Sequence, residues 1–214
     1  VPALAACADG AVVFAADSAL RALARFGVAA DFAVSVDAAK PPEKCLPNDC
    51  LPARVVLAGI SPPAWRDCEP EFRLYYLSGH SLTEQMLAGL GMAPTPVCVL
   101  DNCGITAFEL ARFLGCAPIH LFGMDLAADA SDPSRRHTAD SDASIDRGSG
   151  FATQKQLPLV PGNYTETVPT FLYGEWRSFN ERLRQVPAGL VVNINDRGAR
   201  LENTRLVHPA GLEL

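Results

Sequence analysis

Two short apolar runs, each ending in an aspartate, constrain the fold more than any other feature of this chain. Residues 11–15, Ala-Val-Val-Phe-Ala, are followed at once by Asp17-Ser18, and residues 32–36 by Asp37. Runs this short and this continuously apolar suit strands buried on both faces. Between them, Leu20, Leu23, Ala24 and Phe26 fall at helical spacing over residues 19–26. Asp17-Ser18 offer N-cap side chains and Gly27 stands at the C′ position. The order strand, helix, strand is that of a right-handed crossover unit, which places the two strands parallel.

The pattern repeats along the chain. Strands are predicted over 54–58, 72–77, 97–100, 118–122 and 190–194. Helices are predicted over 81–91, weakly, over 105–114 between Gly104 and Gly115, and over 171–186. The Pro-rich stretch 40–53 reads as a surface loop, and Pro62-Pro63-Ala64-Trp65 as a turn. Residues 127–153 are dominated by Asp, Ser, Arg and Gly, and read as a mobile polar loop or lid. The expected fold is one α/β domain over residues 1–214, an open, mostly parallel, Rossmann-like sheet with helices on both faces.

Composition narrows the function. The net charge is −6 and Lys and Arg form no run, which argues against a nucleic-acid partner. No apolar stretch approaches the roughly 20 residues that span a bilayer, and no signal peptide is legible, so a cytoplasmic protein is expected. The seven cysteines form no CxxC pair and read as reduced thiols packed as small hydrophobes. His80, His120, His137 and His208 have no partner at zinc-ligand spacing.

In open parallel sheets, ligands bind beyond the carboxyl ends of the strands. Asp17, Asp37, Asp101-Asn102 and Asp125 all follow predicted strands, more acids than helix capping requires, and so suggest a shared site. Asn102-Cys103-Gly104-Ile105-Thr106 is a strand-to-helix turn whose N–H groups and Thr106 hydroxyl could seat a phosphate or carboxylate. Neither GxxxxGK[ST] nor GxGxxG is present. His137, beside Arg135-Arg136, is a candidate general acid or base. Asp37 and Asp125 could hold Mg²⁺ beside a diphosphate, or accept hydrogen bonds from sugar hydroxyls without metal.

These motifs, in this order, resemble the MptE-like family, which joins archaeal 6-hydroxymethylpterin diphosphokinases to the motility-associated-factor (Maf) flagellin glycosyltransferases. The resemblance runs from Val13–Leu20 and Gly27–Asp37 through Gly104-Ile105-Thr106-Ala107, Leu114-Gly115-Cys116, Phe122-Gly123-Met124-Asp125-Leu126 and His137. It closes with Val168-Pro169-Thr170 and Asn193–Ala199. It implies a nucleotide-using transferase with a sialyltransferase-like fold. One branch would move a nonulosonic sugar from a CMP donor to a flagellin-type protein, and the other a diphosphate from ATP with Mg²⁺. A non-catalytic nucleotide- or glycan-binding module is the third reading.

By position, the resemblance puts Asp17, Ser18 and Asp37 on the nucleotide side and Gly104, Ile105 and Thr106 toward phosphate or sugar. It puts Gly123 and Asp125 at the reacting centre, with His137 as acid or base. The chain departs from the pattern twice. It begins where the family's Gly-Pro-Ser-Leu loop has already ended, so the first strand and its glycine loop are expected to be missing. Asn102-Cys103-Gly104-Ile105 replaces a Gly-Gly-Ser type turn.

Overall fold

The computed structural model describes residues 2–46, 52, 54–68, 72–76, 81–92, 102–128 and 157–212. The predicted strand over 97–100, Asp101, His137 and all of the polar stretch beyond Ala128 lie outside the described residues. The chain divides into two units, one of residues Gly10–Gly115 and one of Val1–Asp9 with Cys116–Leu214. Helix α1, Pro2–Cys7, belongs to the second.

The Gly10–Gly115 unit is built on a four-stranded parallel sheet in the order β1 (Phe14–Ala16), β2 (Phe32–Ser35), β3 (Arg54–Ala58), β4 (Phe72–Tyr76). The alternation of β3 explains the two packed faces, because successive side chains of a strand point to opposite sides. Val56 and Ala58 join Val34 of β2 and Ala107 and Leu110 of α6 (Cys103–Phe113) in one buried cluster. Val55 and Leu57 join Cys45 and Trp65 in another. Both faces are thus covered, as continuous apolar strands require.

Helix α2, Leu20–Arg25, ends in a Schellman turn at Gly27, whose φ is +69°. The Val28 amide donates to the Leu23 carbonyl, and the Gly27 amide to the Ala24 carbonyl. The helix starts later than expected, because Asp17–Ala19 form a 3-10 turn and Asp17 is buried, not capping.

Residues 40–46 are not the surface loop predicted. They include α3, Pro42–Cys45, and bury Lys40, Pro42 and Cys45. Two long-range donors hold the segment in. The Trp65 indole donates to the Lys40 carbonyl (2.8 Å), and Arg21 donates to the carbonyls of Leu46 (3.2 Å) and Glu43 (2.6 Å). The predicted turn at 62–65 is the start of α4, Ala64–Asp67, which seats the fully buried Trp65. Helix α5, Ser81–Gly89, follows β4.

The second unit carries a three-stranded parallel sheet, β5 (Ile119–Phe122), β8 (Val191–Ile194), β9 (Arg205–Val207), with β8 central. An antiparallel pair, β6 (Leu159–Pro161) and β7 (Thr167–Pro169), accompanies it. Helix α7, Tyr173–Leu183, buries Phe179 and Leu183. At its C-terminus, the Asn203 carboxamide donates to the carbonyl of Leu183 (2.8 Å), the last helical residue, and to that of Val186 (2.7 Å) just beyond the helix. Among the described residues, no helix is long and apolar enough to cross a membrane. Among the described residues, Cys7, Cys45, Cys103 and Cys116 are free thiols.

Candidate functional site

The carboxyl ends of β1 and β2 meet the start of α6 in a buried polar cluster. Asp17, just past β1, is fully buried. Its Oδ1 accepts the Ser18 amide (2.6 Å) and lies 3.5 Å from the Lys40 ammonium. Its Oδ2 accepts the Ser35 hydroxyl (2.8 Å) and the Cys103 thiol (3.3 Å). Four protein donors thus surround the carboxylate, which ties β1, β2, residue 40 and α6 together. Asp37 lies beyond β2, its Oδ1 accepting the Ala39 amide at 2.8 Å.

The electrostatics follow from this geometry. Burial works against the Lys40 ammonium, but Asp17, with smaller help from Cys103 and Asp37, holds its pKa above the ordinary 10.5. Burial pushes the Cys103 thiol well above its usual value, and Asp17 adds to the shift. Burial likewise pushes Cys45 up to about 12. Both cysteines are therefore protonated thiols rather than nucleophiles at neutral pH.

Asn102 caps α6, its Oδ1 accepting the Ile105 amide at 2.8 Å. Ile105 and Thr106 are fully buried, and the Thr106 hydroxyl donates back to the Asn102 carbonyl (2.9 Å). The Thr106 hydroxyl therefore serves the helix's own first turn. Gly104 remains partly exposed there. Of the sequence-predicted residues in this unit, Asp17 and Ser18 stand together, and Cys103 links Asp17 to the Asn102–Thr106 turn.

The second unit has its own polar edge at the carboxyl ends of β5 and β8. The chain turns sharply there. Gly123, exposed, has φ +67°, and Leu126, buried, has φ +44°. Between them, Asp125 accepts the Asn195 side-chain amide on Oδ1 at 2.8 Å. The Asp125 carbonyl accepts the Ala199 amide at 2.7 Å. Gly198, at φ +83°, leaves no room for a side chain, since a Cβ would lie 2.7 Å from the Asp125 Cα and carbonyl oxygen.

Asn193, inside β8, is fully buried, and among the described residues neither end of its carboxamide has a hydrogen-bond partner. Sequence reasoning singles out neither Asn193 nor Asn195 as a site residue. Two Asn in alternate positions, at and just past the end of an apolar strand, are the available signal. Lys40 and Ser35 escape it because their partner is distant in sequence. Among the described residues, no three His, Cys, Asp or Glu side chains converge as a metal-ligand cluster.

Parallel strands with polar residues past their carboxyl ends define an open α/β fold, the class in which ligands commonly bind beyond those ends. The structure is similar to that of a Maf glycosyltransferase from Magnetospirillum magneticum AMB-1, with a TM-score of 0.68 and 20% sequence identity, over 99% of this chain and 32% of the other. The chain thus spans about a third of the length of that protein. Residues 1–130 match the family described as 6-hydroxymethylpterin diphosphokinase MptE-like, and the chain belongs to the MptE-like family. No curated protein matches the sequence.

Proposed function

We propose that the protein is a cytoplasmic nucleotide-dependent transferase, a glycosyltransferase that moves a nonulosonic sugar from a CMP donor to a flagellin-type protein acceptor. The observation that carries this reading is the likeness to a Maf glycosyltransferase over 99% of the chain. In the reaction, a bond forms between the acceptor hydroxyl oxygen and the anomeric carbon, and the bond from that carbon to the CMP phosphate breaks. The hydroxyl proton passes to a base. Asp125 stands at the carboxyl edge of its sheet as a hydrogen-bond acceptor for a substrate hydroxyl. His137 is the proposed acid or base. Ser18, Asp37, Asp101, Asn102 and Gly104 are assigned to the nucleotide and donor side, with the buried Asp17, Ile105 and Thr106 shaping the turns that carry them, and Gly123 is assigned to the reacting centre.

The second reading, an ATP-dependent diphosphokinase acting on a hydroxymethylpterin, is favoured by the description of the matched family. Thermal-shift titration with CMP, with ATP and Mg²⁺, and with a pterin separates the two. Stabilisation by CMP alone supports the glycosyltransferase. A requirement for both ATP and Mg²⁺ supports the kinase. No response to any of them points to a module that does not use these nucleotides. For the transferase, His137→Ala is expected to lower kcat by roughly 10²–10⁴-fold with little change in melting temperature, and an unchanged rate removes His137 from the mechanism.

A further inference from the structure

We propose that Asn195 is a positioning residue, which holds the Asp125 carboxylate with one oxygen turned to a substrate hydroxyl. The inference rests on the transferase reading, and extends it to a residue outside the assigned site. The carboxamide is oriented by its second bond. Asn195 Oδ1 accepts the Arg197 amide at 3.3 Å, so the nitrogen end faces Asp125. Because that nitrogen can only donate, it favours an accepting carboxylate oxygen opposite it.

Asn195 is itself pinned. Its amide donates to the Val207 carbonyl of β9 (3.0 Å), and its carbonyl accepts the Tyr164 hydroxyl (3.0 Å). The residue is buried, so the carboxamide has little freedom to swing away. The backbone of Asp125 is clamped as well, by the Ala199 amide and by the close approach of Gly198. Leu126, next in the chain, holds a left-handed conformation that is strained for a residue with a side chain. A strained turn, a clamped carbonyl and a fixed carboxamide all converge on one side chain. Among the described residues, no donor reaches its second oxygen, Oδ2, which stays available to a ligand.

Two measurements test this. The first compares crystal structures of the wild type and Asn195→Ala. The expected result is an Asp125 carboxylate that has rotated or become disordered over an unchanged backbone at 123–126. A carboxylate in its original place overturns the proposal. The second is a kinetic cycle with a CMP-sugar donor. Asn195→Ala is expected to lower kcat about 10- to 100-fold, with donor KM little changed. In an Asp125→Ala background, the same change should have almost no further effect. Additive losses mean that Asn195 acts elsewhere and overturn the proposal. If the wild type does not turn over a CMP-sugar, the transferase reading fails, and the pair of structures alone decides the role of Asn195.

Discussion

The Lys40 ammonium lies 3.5 Å from Oδ1 of Asp17, where the aspartate is fully buried and the lysine nearly so. The two partners are not equivalent. Asp17 is surrounded by four protein donors, whereas the Asp17 carboxylate is the one acceptor within reach of the Lys40 ammonium among the described residues. Removing one member of a buried pair strands the charge of the other. Asp17→Asn is therefore expected to cost about 3–5 kcal/mol. Lys40→Met leaves Asp17 three of its donors and is expected to cost about 1–2 kcal/mol. Urea denaturation of both variants measures the difference, and equal losses would show that the ion pair alone, rather than the donor network, sets the stability.

Alkaline pH is expected to weaken the fold. Lys40, Cys45 and Cys103 all hold their protons more tightly when folded. For Cys45, the unfolded thiol ionises near 9 and the folded one at about 12. Its contribution is complete below pH 9 and falls as pH rises toward 12, because only the unfolded chain is then releasing the proton. Each such thiol makes a slope of about 1.4 kcal/mol per pH unit in that window. Lys40 acts in the same direction at higher pH. Denaturation midpoints measured from about pH 8 to 11 should fall, and Cys45→Ala should flatten the curve. A flat profile for the native sequence contradicts the assignment of buried thiols.

Two glycines in left-handed conformations should respond differently to alanine. Among the described residues, nothing lies within 4 Å of the place a Cβ would take at Gly27, so Gly27→Ala should cost only conformational strain, ~1 kcal/mol. At Gly198, the same strain adds to a 2.7 Å collision with the Asp125 backbone. Gly198→Ala should cost about 2–4 kcal/mol and also reduce turnover, since it displaces Asp125. Thermal melts of the two variants give the comparison, and equal shifts would remove the steric argument.

Asn193 presents the opposite case. A fully buried carboxamide with no partner at either end among the described residues weakens the fold. Asn193→Leu, close in shape, should raise stability by about 1–2 kcal/mol. A polar group kept at such a cost suggests a functional use, so the stabilised variant is also expected to turn over more slowly. A melting temperature that stays the same or drops sinks this idea.

The elements legible in the sequence are those whose pattern is local. Strand β3 reads with its observed limits because Val55-Val56-Leu57-Ala58 is continuously apolar. Helix α6 is bracketed by Asn102, Gly104 and Gly115, all in its terminal turns. Strands β6, β7 and β9 have three residues each and partly exposed side chains, so no apolar run announces them. The polar clusters are legible only in part. Asp17 and Asp125 can be placed at strand ends, but their partners Cys103 and Asn195 lie 86 and 70 residues away in sequence. No window-based pattern joins residues so far apart.

The registers of the two parallel sheets imply an order of folding. In the Gly10–Gly115 unit, Phe14 pairs with Phe32, Phe32 with Arg54 and Arg54 with Phe72, each step closing a loop of about twenty residues. In the other unit, Ile119 must find Val191, across a loop nearly four times longer. The longer closure adds about 1.2 kcal/mol of entropic cost before any contact forms, and non-local pairing slows folding. Helix α1 belongs to that later unit although it precedes the other in sequence. During synthesis, the Gly10–Gly115 sheet can therefore zip up strand by strand as it emerges, while residues 2–7 wait for the Cys116–Leu214 part of their own unit to be translated.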